Sequence, residues 1–171
     1  MVQPHRREPQ IPEAPVALDD RGNVLSELLP QILEGLDVQV GAAVDELVLT
    51  AKPEDIPNLC RVAKEDPRLD FNYLRCLSVV DYVDRLEVVY HLFSLKNRHK
   101  LIIKTSVSPE EPYTPSVVPV WPGANWFERE GHDLFGVVFQ GHPNLAPLLL
   151  YEGFEGYPGR KSFPFHDYDE W

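Results

Sequence analysis

Leu74-Arg75-Cys76-Leu77-Ser78-Val79-Val80-Asp81-Tyr82, Leu86-Glu87-Val88-Val89-Tyr90-His91-Leu92-Phe93-Ser94-Leu95 and Leu101-Ile102-Ile103-Lys104-Thr105-Ser106-Val107 are three β-rich runs in close succession. Their Val, Ile, Leu and Tyr content suits a half-buried pleated surface. Asp84-Arg85 and Asn97-Arg98-His99 supply tight polar connections, so the three runs are expected to form an antiparallel meander. Upstream, Pro53 to about Glu65 reads as a helix with Ile56, Leu59, Cys60 and Ala63 on its apolar face, ended by Pro67. Val38 to Val40 and Glu46 to Thr50 read as a short hairpin pair turning around Gly41. From Ser26, helical spacing of Leu25, Leu28, Leu29, Ile32, Leu33 and Leu36 predicts another helix, with Pro30 in its first turn and Gly35 closing it.

Downstream of the meander, Pro109, Pro112, Pro115, Pro119 and Pro122 forbid helix and leave a semi-rigid strap. Asn125 is positioned to cap a short helix from Trp126 to Leu134, with Trp126, Phe127, Glu130 and Leu134 near one face and Arg129–Asp133 as an i, i+4 pair. Gly131 costs such a helix about 1 kcal/mol against Ala, so another backbone or ring is expected close to it. The expected fold class is therefore α+β: two layers, a mostly antiparallel sheet with helices on one face, then a Pro-rich strap, a short helix and an extended C-terminal tail. The expected division is a flexible or partner-bound arm (1–22), an α+β core domain (23–107), and a strap, signature helix and partner-binding tail (108–171).

At 171 residues and 43% hydrophobic content, the chain suits one domain with a genuine core. Its net charge of -11 argues against nucleic acid as a partner, because phosphate binding needs a cationic face. Up to Val107 there are 13 basic against 17 acidic residues, a net of -4; beyond it, 3 against 10, a net of -7. Arg160-Lys161 is the only adjacent basic pair in that acidic second part. Cys60 and Cys76 are too few for a disulfide framework, a structural zinc site or an iron–sulfur cluster, and fit a reducing compartment. Arg6-Arg7 is followed by prolines and charges rather than an apolar run, so it is not read as an export signal. No stretch approaches the roughly 20 apolar residues of a membrane span.

Residues 121–171 hold 12 of the 18 aromatics and 7 of the 10 glycines. Aromatics interleaved with charges suit a surface gripped by another protein. Glu128, Glu130, His132 and Asp133 are the nearest approach to an active-site cluster. Glu128 and His132, one turn apart, with His142 as a third ligand, could hold a metal in a stand-alone enzyme. The plainer reading pairs those carboxylates with Arg129 and Arg160-Lys161. No nucleophile or oxyanion motif accompanies them. His142, set between Gly141 and Pro143, reads as a hydrogen-bonding bracket. Gly153-x-x-Gly156-x-x-Gly159 fails as a dinucleotide fingerprint on spacing and on Pro158.

Trp121-Pro122, Asn125-Trp126, Glu128-Arg129-Glu130, Asp133-Leu134-Phe135-Gly136, Phe139, Gly141-His142-Pro143, Leu145, Gly153-Phe154-Glu155-Gly156, Pro158, Arg160-Lys161 and Phe163-Pro164 together resemble the signature of the C subunit family of NADH:quinone oxidoreductase, the respiratory complex I type. The chain departs from that pattern at Ala146-Pro147, Gly159 and Ser162, and ends at Trp171 without the long extension of some relatives. The resemblance implies a cluster-free, non-catalytic subunit of the peripheral arm of a proton-translocating complex. It would clamp a hydrogenase-large-subunit-like quinone-site subunit and iron–sulfur subunits during electron transfer. No cofactor is expected in this chain; iron–sulfur clusters and FMN are expected in its partners. It would sit peripherally on the cytoplasmic side of the cell membrane, touching the membrane only through the complex. The homologous subunit of a membrane-bound hydrogenase or ferredoxin-driven complex is the alternative. The signature residues are then structural or partner-binding, and Arg160 is expected to meet a carboxylate, from Glu128, Glu130 or a neighbouring subunit.

Overall fold

A computed structural model describes residues 17–164; the first 16 residues of the expected N-terminal arm and the last seven of the tail lie outside the described residues. Helix α1 (Asp20–Ile32) leads into β1 (Val38–Ala43) and β2 (Glu46–Ala51). A single 3-10 turn (Pro53–Asp55) then opens α2 (Ile56–Glu65). Strands β3 (Tyr73–Asp81), β4 (Leu86–Phe93) and β5 (Lys100–Val107) follow, then β6 (Tyr113–Pro115), α3 (Ala124–Phe135) and β7 (Val138–Gln140).

The meander is present as read: β3–β4 and β4–β5 are antiparallel, with Leu77 opposite Tyr90 and Tyr90 opposite Ile103. The sheet order is β1-β2-β5-β4-β3, and β2 joins β5 in parallel, so one junction of the sheet is not antiparallel. One sheet face is covered: Leu49, Tyr90, Leu92, Leu101 and Ile103 share a core with Leu25 and Leu29 of α1 and Ile56, Leu59, Cys60 and Ala63 of α2. On the other face Val48, Val89 and Ile102 form a small cluster, flanked by the Lys104–Glu87 and Arg75–Glu46 ion pairs at 3.0 and 3.2 Å. Long side chains can shield such a patch with their stems while their heads stay wet.

Three local expectations are corrected. Helix α1 starts at Asp20, capped by Asp19, whose Oδ1 accepts from Gly22 N–H at 2.7 Å. Pro30 therefore falls in the last turn, where a missing N–H disturbs less of the helix than it would in the middle. The β1–β2 hairpin turns at Val44, held at φ 59°, and Gly41 lies within the strand opposite Val48. Helix α3 begins at Ala124 after Gly123, and Asn125 makes no side-chain cap. Its buried residues are Ala124, Glu128, Gly131 and Asp133, whereas Trp126 is 58% exposed.

The strap is extended as expected, and part of it is also a strand: β6 pairs in parallel with β7. Trp121 anchors the strap to the core, its Nε1–H donating to Phe71 O at 3.0 Å. Among the described residues, no helix is long and apolar enough to cross a membrane.

Candidate functional site

Helix α3 lies against edge strand β3, and a Cβ at Gly131 would stand 2.9 Å from Val79 Cγ2 and 3.4 Å from the Phe139 ring. The glycine therefore lets helix, strand and ring approach closely, as its cost to the helix implied. At the helix end Gly136 adopts φ 74° and returns its N–H to His132 O at 2.8 Å. The Tyr157 ring sits where a side chain at Gly136 would go, 2.5 Å from the position of its Cβ. The tail is thus folded back over the end of α3.

Glu128 points inward and is fully buried. Its Oε2 accepts from Ser116 Oγ–H at 2.6 Å and its Oε1 from Val117 N–H at 2.7 Å. Burial pushes its carboxyl up to about 7, against those two donors, which pull it down. Its partners come from the strap, so the expected pairing with Arg129 or Arg160-Lys161 is corrected. A buried carboxyl next to the core thiol of Cys60 also helps raise the Cys60 pKa, after burial itself.

Arg129 and Asp133 do not pair with each other. Arg129 Nε and Nη2 donate to Ala146 O and Pro147 O at 2.9 and 2.7 Å, and its guanidinium lies 5.2 Å from the Trp126 ring centroid. Asp133 Oδ2 accepts from three successive amides, Leu148, Leu149 and Leu150, at 3.1, 2.7 and 2.8 Å. Burial raises the Asp133 pKa, but these amides and His132 outweigh it and hold the carboxyl below the usual aspartate range. Two side chains one turn apart on α3 thus hold residues 146–150 from both chemical ends, carbonyl and amide.

The remaining signature residues continue this pattern. His142 accepts from Asn144 N–H on Nδ1 at 2.9 Å and places Nε2 3.4 Å from Asn125 O, the bracket its Gly141–Pro143 setting suggested. With Nδ1 accepting, the proton sits on Nε2 and faces the Asn125 carbonyl. Gly141, Gly153 and Gly156 all have φ between 81° and 89° and place tail turns. Phe154 stacks with Phe163 at 6.0 Å and meets Tyr151 edge-on at 5.4 Å. Glu155 and Pro143 are exposed, and Pro158 is half-buried. Glu130 is exposed and lines a cleft with Cys76 between α3 and β3. Arg160 Nε donates to Phe135 O at 2.7 Å and Nη1 to Pro109 O at 3.0 Å, with its guanidinium 4.9 Å from the Tyr157 ring centroid. Within the described chain it meets carbonyls, not the carboxylates of Glu128 or Glu130. Lys161 N–H donates to Asp81 Oδ2 at 2.7 Å.

Glu128, His132 and His142 do not converge. Glu128 faces the strap, His132 Nδ1 lies 2.9 Å from Val137 O, and His142 faces Asn125 and Asn144. Among the described residues, no group of three or more His, Cys, Asp or Glu is arranged to hold a metal ion. Two participants escape a reading of the sequence, Ser116 and Asp81. Ser116 follows Pro115 in a stretch whose prolines speak only for the backbone, and Asp81 ends a strand run, where a charged residue is ordinary.

Residues 49–169 match the family described as respiratory-chain NADH dehydrogenase, 30 Kd subunit. The chain is 43% identical over 134 residues to the C 2 subunit of NADH-quinone oxidoreductase of Rhizobium meliloti (strain 1021), covering 77% of this chain and 73% of that relative. It is 42% identical over 151 residues to the C subunit of the same enzyme of Roseiflexus castenholzii (strain DSM 13941 / HLO8), covering 85% and 84%. Among solved structures, a chain of the membrane-bound sulfane sulfur reductase (MBS), an archaeal respiratory membrane complex, is similar with TM-score 0.70 and 26% identity, over 82% of this chain and 86% of that one. The trypsin-resistant fragment (1–134) of Nqo5 is similar with TM-score 0.58 and 28% identity, over 70% and 98%.

Proposed function

Because the chain belongs to the family of the 30 Kd subunit of respiratory-chain NADH dehydrogenase, the C subunit of NADH-quinone oxidoreductase, we propose that it serves as a non-redox structural subunit of the peripheral arm. In this reading it clamps a hydrogenase-large-subunit-like quinone-site subunit and neighbouring iron–sulfur subunits on the cytoplasmic side of the membrane. Electrons pass from NADH to quinone through FMN and iron–sulfur clusters held by those partners, and the chain supports proton translocation by keeping them in register.

One observation carries this reading. The side chains with chemical potential, Glu128, Arg129, His132, Asp133 and His142, are engaged by hydroxyl or main-chain groups of this same chain. Large apolar side chains beside them, Trp126, Leu149 and Tyr151, are 58%, 60% and 73% exposed. Internal bonding of polar groups with outward display of aromatics suits a docking surface rather than a catalyst. Changing the exposed Glu130 to Gln tests it: assembly and activity should fall together. Fully assembled complex with a normal iron–sulfur complement but no turnover would instead indicate direct catalytic participation. Elemental analysis of the purified chain should find no stoichiometric iron or zinc, and one metal per chain surviving dialysis would count against the reading.

The likeness to the sulfane sulfur reductase chain favours a second reading, in which the same clamp serves a related membrane complex with another electron donor and acceptor. Identification of the subunits that co-purify with the tagged chain separates the two.

A further inference from the structure

We propose that the cavity at the C-terminal end of α3, walled by the rings of Tyr151, Phe154 and Tyr157 and lined by the Asp133 carboxylate, receives a lysine or arginine side chain of a neighbouring protein. The inference rests on the docking reading above and names the chemistry of one contact within it.

The cavity measures about 160 Å³ and lies between the last turn of α3, which contributes His132 and Asp133, and the returning tail, which contributes Leu150 and the three rings. Phe154 meets Tyr151 edge-on at 5.4 Å between centroids and is backed by Phe163 at 6.0 Å. Tyr157 is wedged over Gly136, where a Cβ would stand 2.5 Å from its ring. Phe154 and Tyr157 are therefore held in place before anything enters, which lowers the ordering cost of binding. Tyr151, 73% exposed, forms the outer wall. Ring faces carry negative charge density and attract a cation, the more strongly as water is excluded.

Asp133 supplies the counter-charge. Its Oδ2 is committed to the amides of Leu148, Leu149 and Leu150, whereas Oδ1 has no hydrogen-bond partner among the described residues. Burial raises its pKa, but those amides and His132 outweigh it, so the carboxyl that lines the cavity is ionised at neutral pH. His132 holds Nδ1 2.9 Å from Val137 O; with the proton there, Nε2 of the neutral ring is an acceptor. A carboxylate oxygen and an imidazole nitrogen are thus offered to incoming N–H donors. Both side chains leave the last turn of α3, where the negative pole of the helix favours cations, as the Arg160 bond to Phe135 O illustrates.

The choice of occupant follows from charge. No Lys or Arg lines the cavity. The three basic residues beyond Val107 are all directed elsewhere: Arg129 to Ala146 O and Pro147 O, Arg160 to Phe135 O and Pro109 O, and Lys161 toward the Tyr82 ring. Arg160 rests against Tyr157, but its charge is outside the lining. Opposite them stand Asp133 and the rim residues Glu152 and Glu155, which alternate with the rings along the tail. Both glutamates are exposed, and neither forms an ion pair among the described residues. An incoming carboxylate would be repelled by Asp133 and by the chain's overall charge of -11. An apolar side chain would close the cavity over Asp133 Oδ1 and His132 Nε2 without giving either a donor. A basic side chain satisfies both and lays its methylene groups on the rings. A small free cation would leave Leu149 and Tyr151, 60% and 73% exposed, uncovered; a protein covers them.

The test uses the full chain in cells, with the complex isolated through a tag on another subunit. In the Glu152→Lys, Glu155→Lys double variant, recovery of the chain in the complex should fall about tenfold at ~0.15 M salt. The thermal midpoint of the isolated variant should stay within about 2 °C of wild type, since both positions are exposed and unpaired. Should that variant misfold, Glu152→Gln, Glu155→Gln replaces it, with a loss of about threefold. Glu27→Lys, Glu34→Lys makes the same charge change at exposed positions of α1 and the turn after it, and should be recovered like wild type. With Tyr151 replaced by photoreactive p-benzoylphenylalanine, irradiation of the assembled complex should join the chain to a peptide of another subunit that carries Lys or Arg at or next to the joined residue. Recovery of the folded reversal variant at or above the wild-type level, equal loss in the Glu27, Glu34 variant, or a joined peptide without a basic residue overturns the basic partner while the docking reading stands. An adduct to the chain's own residues, Arg6-Arg7 included, or no adduct at all in the assembled complex overturns it as well. Absence of the wild-type chain from any complex overturns both.

Discussion

The five-stranded sheet and the segment from α3 to Pro164 are held by opposite means. In the sheet and its two covering helices, cohesion comes from area: Leu25, Leu29, Leu49, Leu92, Leu101 and Ile103 are fully buried against one another. In the second region few side chains are fully buried, and cohesion comes from a handful of directed contacts. Glu128 closes the strap, Arg129 and Asp133 hold residues 146–150, and Arg160 ties the tail to Phe135 and Pro109. Area is forgiving of rearrangement because many small contacts share the load. Directed contacts fix one geometry and fail one at a time. The proposed clamping role would be served by the second kind of order, built upon the first.

The largest effect separates the two regions most directly. Leu101→Ala, at the centre of the covered face, should lower global stability by about 4 kcal/mol through lost burial and a residual cavity. Urea denaturation should show one earlier transition for both regions, because the directed contacts have no scaffold without the sheet. Survival of native-like hydrogen exchange in residues 124–164 of that variant would mean the second region folds by itself.

Two carboxylates on the same helix should respond to pH with opposite signs. Glu128 has its folded-state pKa raised from 4.5 to about 7, so the folded chain binds a proton that the unfolded chain releases between those values. Stability should therefore fall as pH rises from about 4.5 to about 7, by about 3 kcal/mol in all, and then level off. Glu128→Gln should abolish that slope, matching wild type near pH 5 and exceeding it near pH 8 in thermal melts. An unchanged slope in the Gln variant would show that Glu128 is ionised in the folded chain. Asp133 is the reverse case: its pKa is lowered from 3.8, so its contribution is present above that value and lost as pH falls below it. Asp133→Ala should cost about 2 kcal/mol, confined to the tail. Amide exchange at Leu148, Leu149 and Leu150 should quicken about thirtyfold while β4 amides keep their protection.

The two regions are also unequally legible in the sequence. β3, β4 and β5 can be read because long β-rich runs and two tight turns specify antiparallel neighbours locally. The parallel pairing of β2 with β5 joins residues more than fifty positions apart, as Leu47 with Leu101, and nothing local announces it. The pairing of β6 with β7 is three residues long and half of it is proline strap, too short for a periodic signal. The buried face of α3 departs from hydrophobic patterning: Trp126, Phe127, Glu130 and Leu134 read as one face, whereas the helix buries Ala124, Glu128, Gly131 and Asp133. A buried carboxyl satisfied by a serine and an amide from a distant strap breaks the binary pattern on which such readings depend. The signature stands out as unusual from its composition, and Gly131 from its cost to a helix. The partners of its charged residues do not, because most are main-chain groups and carry no residue-type signal.

The smallest expected effect on stability is at Trp126, and it sharpens the contrast from the outside. The indole is 58% exposed, and the Arg129 guanidinium lies 5.2 Å from its centroid. A cation–π contact at so wet a site contributes about 0.5 kcal/mol, and Arg129 remains fixed by Ala146 O and Pro147 O without it. Trp126→Ala should therefore shift the thermal midpoint of the isolated chain only marginally and leave amide exchange at Leu148 to Leu150 as in wild type. Assembly should respond quite differently. A large aromatic side chain held outward by an arginine that is itself anchored is the kind of group whose truncation costs an interface about 2 kcal/mol or more, on the order of thirtyfold in affinity. Recovery of the Trp126→Ala chain in the purified complex should fall accordingly, with no matching loss in the isolated chain. If instead the isolated chain loses its tail protection and assembly is unaffected, Trp126 belongs with Asp133 among the residues that hold the tail, and the division between holding and presenting would have to be redrawn at Arg129.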